Sequence, residues 1–241
     1  MFKASFITLF PEAFPGPLGV SILERARKEG IWDLETVDLR PFGIGRHHNV
    51  DATPAGGGAG MVIRPDVAAA AIDSLPRDGR PLIYLSPRGV PFNQQLARTY
   101  AETPGLILFC GRFEGLDERV IEAREMIEVS MGDFVLAGGE VAAMALTEAV
   151  VRLLPGVAGN EDSLSEESFE TGLLEHPQYT LPREWEGRRT PDVLLSGDHK
   201  RIAEWRLNSA KALTIDRRPD LYAAYSETPN TQAPETGDEH Y

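Results

Sequence analysis

The sequence predicts an α/β fold, a parallel sheet with helices on both faces. The main observation is that short apolar segments typical of strands alternate with helical segments through residues 1–154. The composition is that of an ordinary globular protein, with 42% hydrophobic and 25% charged residues among 241. The 23 glycines and 18 prolines further indicate many tight loops between these elements.

The first elements follow from local signals. Residues 1–10 form a predicted buried strand that Pro11 ends, and residues 21–28 form a predicted helix with Gly30 as its stop signal. A second strand is predicted at 36–39, and a loop-rich stretch follows at 47–60. Asp66 is the predicted N-cap of a helix over 67–75.

The later elements continue the alternation. Pro155 and Gly156 end the last helix of this part, and helices are predicted again at 199–213 and 219–226. Between the first helices and Pro155 the predicted order is strand 82–86, helix 93–101, strand 106–110, helix 117–125, strand 127–129 and helix 140–154.

We therefore divide the chain into a sheet-containing domain at 1–159, an acidic flexible linker at 160–172, a helical domain at 173–227 and a disordered tail at 228–241.

Several classes of protein are disfavoured. The longest apolar stretches are near ten residues, too short to span a bilayer, and the N-terminus does not resemble a signal peptide. A single cysteine, Cys110, excludes an intramolecular disulfide and a cysteine-based zinc site. A soluble cytoplasmic protein with no membrane partner and no metal site of its own is expected.

The net charge of −13 argues, taken alone, against a nucleic-acid-binding protein. The acidic residues are concentrated, however, and residues 161–170 hold five acids and no base. Residues 180–220 hold nine Lys/Arg against seven Asp/Glu, which is a local charge of +2. The composition therefore permits a local basic face.

Glycine-containing loops follow three predicted strands, at 84–89, 110–115 and 130–140, and a fourth glycine-rich loop lies at 56–61. Ligands in open α/β sheets bind beyond the carboxyl ends of strands, so a shared cofactor pocket is predicted there, although each loop alone could be a simple turn. No G-x-G-x-x-G follows the first strand and no P-loop occurs, which disfavours a nicotinamide dehydrogenase and an NTPase.

Six motifs then occur in order: YLSPRG, CGRFEGLDERV, MGDFVLAGGE, RLLPGV, ESF-x-x-GLLE-x-P-x-YT and VLLSGDH-x-x-I-x-x-WR. Together they resemble the bacterial tRNA (guanine-37-N1)-methyltransferases of the knotted (SPOUT) superfamily, over residues 1 to about 220. The resemblance implies a deep trefoil knot, an obligate homodimer, a small helical C-terminal domain that binds tRNA, and magnesium dependence. The implied reaction moves a methyl group from S-adenosylmethionine to N1 of guanine 37.

The resemblance also implies site residues. Arg152 and Glu167 would be catalytic, the arginine beside the guanine O6 and the glutamate as general base at N1. The family has Asp at the second position, and Glu moves the carboxylate by roughly 1.5 Å, one C–C bond; Glu167 could instead be part of a solvated acidic linker. The cofactor pocket would be lined by Tyr84, Leu85, Ser86, Pro87, Gly111, Phe113, Glu114, Met131, Gly132, Phe134, Leu136, Gly138 and Gly139.

Departures from the family pattern concern the tRNA. Leu181 stands where the family has Arg, and Arg183 could supply the lost phosphate contact, while Ser196 and His199 are further candidate tRNA contacts. Ala55 replaces an aromatic residue, which weakens the expectation of base stacking there. The adjacent His47 and His48 are read as surface or phosphate contacts in preference to a metal pair.

Two alternatives stay open from the sequence. One is a related knotted enzyme that methylates a ribose hydroxyl of RNA, and the other is a non-enzymatic RNA-binding module, which only the Asp-to-Glu change favours. The polar segment 160–171 is expected to be mobile until tRNA binds, which would delay assembly of the active site.

Overall fold

The computed structural model describes residues 1–158 and 167–227. The chain divides into two compact units, Met1–Gly159 and Asn160–Tyr241, and each is described by itself. Most of the predicted linker and its expected mobility, together with the predicted tail at 228–241, lie outside the described residues.

The first unit is built on a five-stranded sheet in which every pairing is parallel. The strand order is β2-β1-β6-β5-β7. A separate antiparallel pair is formed by β3 (Asp51–Ala52) and β4 (Val62–Ile63). The five strands are β1 (Phe2–Thr8), β2 (Trp32–Asp38), β5 (Leu82–Pro91), β6 (Gly105–Phe109) and β7 (Ile127–Ser130).

Helices cover both faces of the sheet. Alternate residues of a strand point to opposite faces, so Phe6 packs with one set of helices and its neighbour Ile7 with another. The first set is α1 (Ser21–Lys28), α3 (Gln94–Ala101) and α5 (Glu140–Val151), and the second is α2 (Pro65–Asp73) and α4 (Glu118–Ala123). The prediction of an α/β fold with a doubly covered parallel sheet is confirmed.

Some element boundaries were wrong. Strand β2 begins at Trp32 because the indole is fully buried and donates to the Leu23 carbonyl oxygen at 2.8 Å. Helix α2 begins at Pro65 with Arg64 as its N-cap residue, so Asp66 lies inside the first turn. There its carboxylate pairs with Arg64 at 2.6 Å instead of capping the helix.

The second unit, over residues 167–227, contains a two-stranded hairpin, the short 3-10 helix Asp192–Leu195 and two α-helices. The hairpin of β8 (Glu184–Trp185) and β9 (Arg188–Arg189) was not predicted, because two-residue strands show no periodicity. The predicted C-terminal helices are confirmed as α6 (His199–Arg217) and α7 (Pro219–Glu227). Asp198 caps α6 by accepting from the Arg201 backbone N–H at 3.1 Å. Among the described residues, none of the helices is long and apolar enough to cross a membrane.

Candidate active site

A cavity of about 400 Å³ opens at the carboxyl ends of β5, β6 and β7. Its walls are a bulge within β5 and the two loops that follow β6 and β7, so the structure brings together the three segments predicted to form a pocket. The predicted loop at 84–89 is part of β5, because the strand continues to Pro91 beyond the bulge. Every residue predicted for the cofactor lines this cavity: Tyr84, Leu85, Ser86, Pro87, Gly111, Phe113, Glu114, Met131, Gly132, Phe134, Leu136, Gly138 and Gly139.

The first wall is a bulge in β5. Both Leu85 and Val90 pair with Val129 of β7, so the residues between them leave the strand and return to it. The return requires glycine at position 89, because a Cβ there would lie 2.3 Å from the carbonyl carbon of Glu128 and the backbone nitrogen of Val129. The bulge thus turns Ser86 and Pro87 toward the cavity.

The second wall is the loop after β6. The Cys110 backbone N–H donates to the Ile7 carbonyl oxygen at 2.9 Å, which continues the sheet to the edge of the cavity. Farther along, the Glu114 backbone N–H donates to the Met61 carbonyl oxygen at 2.9 Å. The fourth glycine-rich loop, at 56–61, therefore supports the wall from outside.

The third wall is the segment between β7 and α5. The Gly139 backbone N–H donates to the Gly111 carbonyl oxygen at 2.9 Å, which closes the third wall onto the second. A Cβ at position 139 would lie 2.7 Å from the Cα of Cys110, so this approach requires glycine. The side chains of Phe134 and Leu136 are exposed on the same wall and give it an apolar surface.

An ion pair joins the second wall to helix α5. The Arg112 guanidinium lies 2.8 Å from the carboxylate of Glu140, whose side chain is only 4% exposed. Thr8 of β1 donates to the same carboxylate at 2.8 Å, and Arg112 also donates to the Ala137 carbonyl oxygen at 3.3 Å. This pair was not predicted, although an acidic residue in the first turn of a mostly apolar helix was a usable signal.

Burial determines the protonation of two groups at the cavity. Burial raises the pKa of the Tyr84 phenol. Burial, reinforced by the negative charge of Glu140, raises the pKa of the Cys110 thiol well above its usual range. Both groups are therefore protonated at neutral pH, and neither is suited to be a nucleophile.

The two predicted catalytic residues belong to different units. Arg152 is the C-cap residue of α5, where its backbone N–H donates to the Glu148 carbonyl oxygen at 3.1 Å. Glu167 is the first described residue of the second unit, is half-buried, and accepts at its carbonyl oxygen from the Glu170 N–H at 3.3 Å. Their joint role stays a prediction.

The predicted tRNA contacts Arg183, Ser196 and His199 lie in the second unit, whereas the exposed His47 and His48 lie in the first. Arg183 lines a second cavity of about 350 Å³ together with Tyr179 and Arg206. Ser196 donates to the Val193 carbonyl oxygen at 2.7 Å, and the exposed His199 begins α6. These contacts also stay predictions. Over residues 1–158 and 167–227, no group of three His, Cys, Asp or Glu side chains could hold a metal ion.

Comparison with known proteins gives one consistent result. Residues 2–224 match the family model described as tRNA (Guanine-1)-methyltransferase TrmD. The chain is 60% identical over 228 residues to the tRNA (guanine-N(1)-)-methyltransferase of Ruegeria sp. (strain TM1040), covering 93% of both chains. It is 58% identical to the protein of the same name from Brucella ovis, covering 93% of this chain and 92% of that one. The chain therefore belongs to the tRNA (guanine-1)-methyltransferase TrmD family.

Proposed function

We propose that the chain transfers a methyl group from S-adenosylmethionine to N1 of guanine 37 in tRNA, with Glu167 as general base. Family membership makes the chain a tRNA guanine-N1 methyltransferase. The observation that carries the cofactor assignment is the cavity whose walls contain every residue predicted to bind it.

The cavity fits an adenosine-based methyl donor. Its volume of about 400 Å³ is within the usual range for small-molecule sites. Leu85, Met131 and Leu136 offer apolar surface for an adenine ring, and the glycine turns leave backbone groups accessible for its polar edge. The negatively charged Glu114 carboxylate is complementary to the positively charged end of the methyl donor. When bound, the cofactor supplies an electrophilic methyl group.

The chain's own residues would prepare guanine for attack. The N1 lone pair is unavailable while N1 carries its proton, so the Glu167 carboxylate accepts that proton as the bond from N1 to the methyl carbon forms. The bound donor would supply this methyl group and would keep the electron pair of the broken sulfur–carbon bond. The Arg152 guanidinium faces the negative charge that develops on guanine O6.

The trefoil knot is part of the proposal. Two observations support it: the segment between β7 and α5 bonds to the loop after β6 through Gly139 and Gly111, and α5 then packs against the face of the central strands. A trefoil knot requires the chain to pass through an earlier loop, and these contacts place the segment before α5 directly against the loop after β6.

A homodimer is proposed as well. Large apolar side chains are exposed around the cavity, among them Val135 at 84% and Val141 at 65%. Exposed apolar clusters of this kind typically mark protein contacts. The partner subunit would cover this surface and complete the cavity.

Magnesium dependence is a further expectation of the proposal. The described residues supply no three-membered metal site by themselves, so no carboxylate of the protein is assigned as a metal ligand. Arg183, Ser196 and His199 are proposed to contact the tRNA.

The test is Glu167→Gln, which keeps the shape of the side chain but cannot accept a proton. We expect methylation of guanine-37 tRNA to be lost while calorimetric binding of S-adenosylmethionine is unchanged. Glu170→Gln, three residues away, is the matched control and should retain full activity. Wild-type turnover in Glu167→Gln would remove this residue from the mechanism.

Product analysis separates the proposal from ribose methylation. Digestion of methylated tRNA should release 1-methylguanosine, and a transcript with adenine at position 37 should not be methylated. A 2′-O-methyl nucleoside in the digest would assign the chain to the other reaction, and binding without turnover would indicate an RNA-binding module.

A further inference from the structure

We propose that one face of the hairpin β8–β9, formed by Trp185 and Arg188, is a stacking platform for an unpaired base of the tRNA. The inference deepens the proposed function, on which it rests for the identity of the RNA. The platform lies wholly within the second unit, so its effect is separable from binding of the methyl donor.

The hairpin holds the two side chains on the same face. Trp185 pairs directly with Arg188, and Glu184 pairs directly with Arg189. Directly opposed residues of antiparallel strands project to the same side, and the next pair projects to the other side. One face therefore carries an indole and a guanidinium, and the opposite face carries a carboxylate and a guanidinium.

The turn makes this arrangement rigid. Glu186 and Gly187 connect the strands with φ values of 51° and 75°, the two left-handed residues of a type I′ turn, whose twist matches that of the strands. At the other end, the Thr190 backbone N–H donates to the Arg183 carbonyl oxygen at 2.9 Å. The hairpin is thus closed at both ends, and Trp185 and Arg188 stay on the same side of it.

The chemistry of the platform face suits a nucleobase. The Trp185 side chain is 59% exposed, and the Arg188 guanidinium lies 5.9 Å from the centre of its ring. Unpaired bases of RNA stack on aromatic rings and on arginine planes. The ion pair of Arg188 with Glu186, at 3.5 Å, is solvent-exposed and weak, so the guanidinium is available to exchange that carboxylate for a phosphate.

The surroundings favour RNA over a protein partner. Every other side chain of the strands and turn is charged or absent, namely Glu184, Glu186, Gly187 and Arg189. A protein-binding patch of ordinary size has an apolar centre of several residues, whereas one exposed ring with a guanidinium over it suits a single unpaired base. We therefore commit to a base of the anticodon loop as the occupant.

The experiment uses the full chain and four variants. Trp185→Leu keeps apolar bulk but removes the ring, and Trp185→Phe restores an aromatic face. Arg188→Ala and Arg189→Ala are a matched pair with the same change of charge on opposite faces. The dissociation constant for tRNA is measured by filter binding, and 2-aminopurine placed at each unpaired anticodon-loop position reports stacking by its quenched fluorescence.

We expect Trp185→Leu to weaken tRNA binding by about 5- to 150-fold, the range given by loss of one stacked base. Trp185→Phe should recover most of the affinity, and Arg188→Ala should weaken binding more than Arg189→Ala. Quenching at one loop position should disappear in Trp185→Leu. Binding of S-adenosylmethionine should be the same in all variants.

Unchanged tRNA affinity in a folded Trp185→Leu, or equal effects of the two arginine variants, would overturn the inference. A change of sedimentation mass in Trp185→Leu would also overturn it, by assigning the ring to a protein interface. If the wild-type chain binds tRNA through Trp185 but leaves guanine 37 unmethylated, the proposed function fails and the platform stands.

Discussion

Arg112 and Glu140 form an ion pair of 2.8 Å that joins two walls of the same cavity, although 28 residues separate them along the chain. The guanidinium also lies 4.3 Å from the centre of the Phe10 ring, so it contacts the segment that follows β1 as well. The Thr8 hydroxyl donates a hydrogen bond to the Glu140 carboxylate at 2.8 Å. The pair therefore fixes the distance between the loop after β6 and the first turn of α5.

Glu140→Gln tests this role. The amide keeps an oxygen for Thr8 but cannot neutralise Arg112, so we expect the free energy of unfolding to fall by about 1.5–3 kcal/mol, the value of a hydrogen bond to a charged group. Urea unfolding measures this change, and calorimetry should show weaker binding of S-adenosylmethionine. Lys28→Ala breaks the exposed pair with Glu24 and should cost less than about 1 kcal/mol. Equal losses in the two variants would contradict the structural role.

Gly139→Ala tests the contact between the second and third walls. The added methyl group would meet backbone atoms of Cys110 and Gly111, which cannot rotate away. We expect a loss of about 1–3 kcal/mol in stability and a loss of about tenfold or more in cofactor affinity, which corresponds to about 1.4 kcal/mol. Gly30→Ala, where φ is 75° and nothing lies within 4 Å, measures backbone strain alone and should leave cofactor affinity unchanged. Normal affinity in Gly139→Ala would show that the walls need not touch.

The pair of Asp73 with Arg124 predicts a pH dependence of stability. The hydrogen bonds from Arg124 lower the pKa of the Asp73 carboxyl, at a distance of 2.6 Å. A lowered pKa in the folded state stabilises the fold above the unfolded pKa of about 3.9, and this contribution is lost as pH falls through the folded pKa.

Asp73→Asn should therefore be less stable than wild type at pH 6–7 by under about 1 kcal/mol, because the carboxylate is about half exposed. The difference should shrink below about pH 4. Urea unfolding at several pH values measures it. In an Arg124→Ala background the same substitution should have no effect, and an undiminished effect there would assign the stabilisation to another contact.

Cys110, which precedes Gly111 of the second wall, is a reporter of local opening beside the cavity. The side chain is fully buried and burial raises the pKa of its thiol, so iodoacetamide at pH 8 should leave the native protein unmodified. Mass spectrometry should show one adduct after unfolding in urea, because the sequence contains a single cysteine. Bound S-adenosylmethionine should slow modification at intermediate urea concentrations. Rapid labelling of the native protein would show that the structure around Cys110 opens readily.

The helices and the five sheet strands of the first unit were largely predictable because their patterns are local, whereas the two-residue strands β3 and β4 were not predicted. Helix α1 begins and ends at the predicted residues, since an amphipathic segment followed by Gly30 contains its own boundaries. The start of β2 was missed because Trp32 is followed by the polar Asp33, and only the tertiary contact with Leu23 shows why the strand begins there. The hairpin at Trp185 was missed because its strands are too short to show alternation.

The cavity was predictable in position but not in its internal supports. Loops after parallel strands meet at one edge of a sheet, so the sequence order of 84–89, 110–115 and 130–140 was enough to predict a shared pocket. The pairing of Arg112 with Glu140 and the contact of Gly139 with Gly111 depend on how closely the segment before α5 approaches the loop after β6. No periodicity encodes such an approach.

The hydrogen bond from Gly139 to Gly111 has a consequence for how the protein is made. The third wall is the last of the three along the chain, so a chain that ends before Gly139 lacks the hydrogen bond that closes the cavity. Prematurely terminated products of that length would consume no donor in the cell.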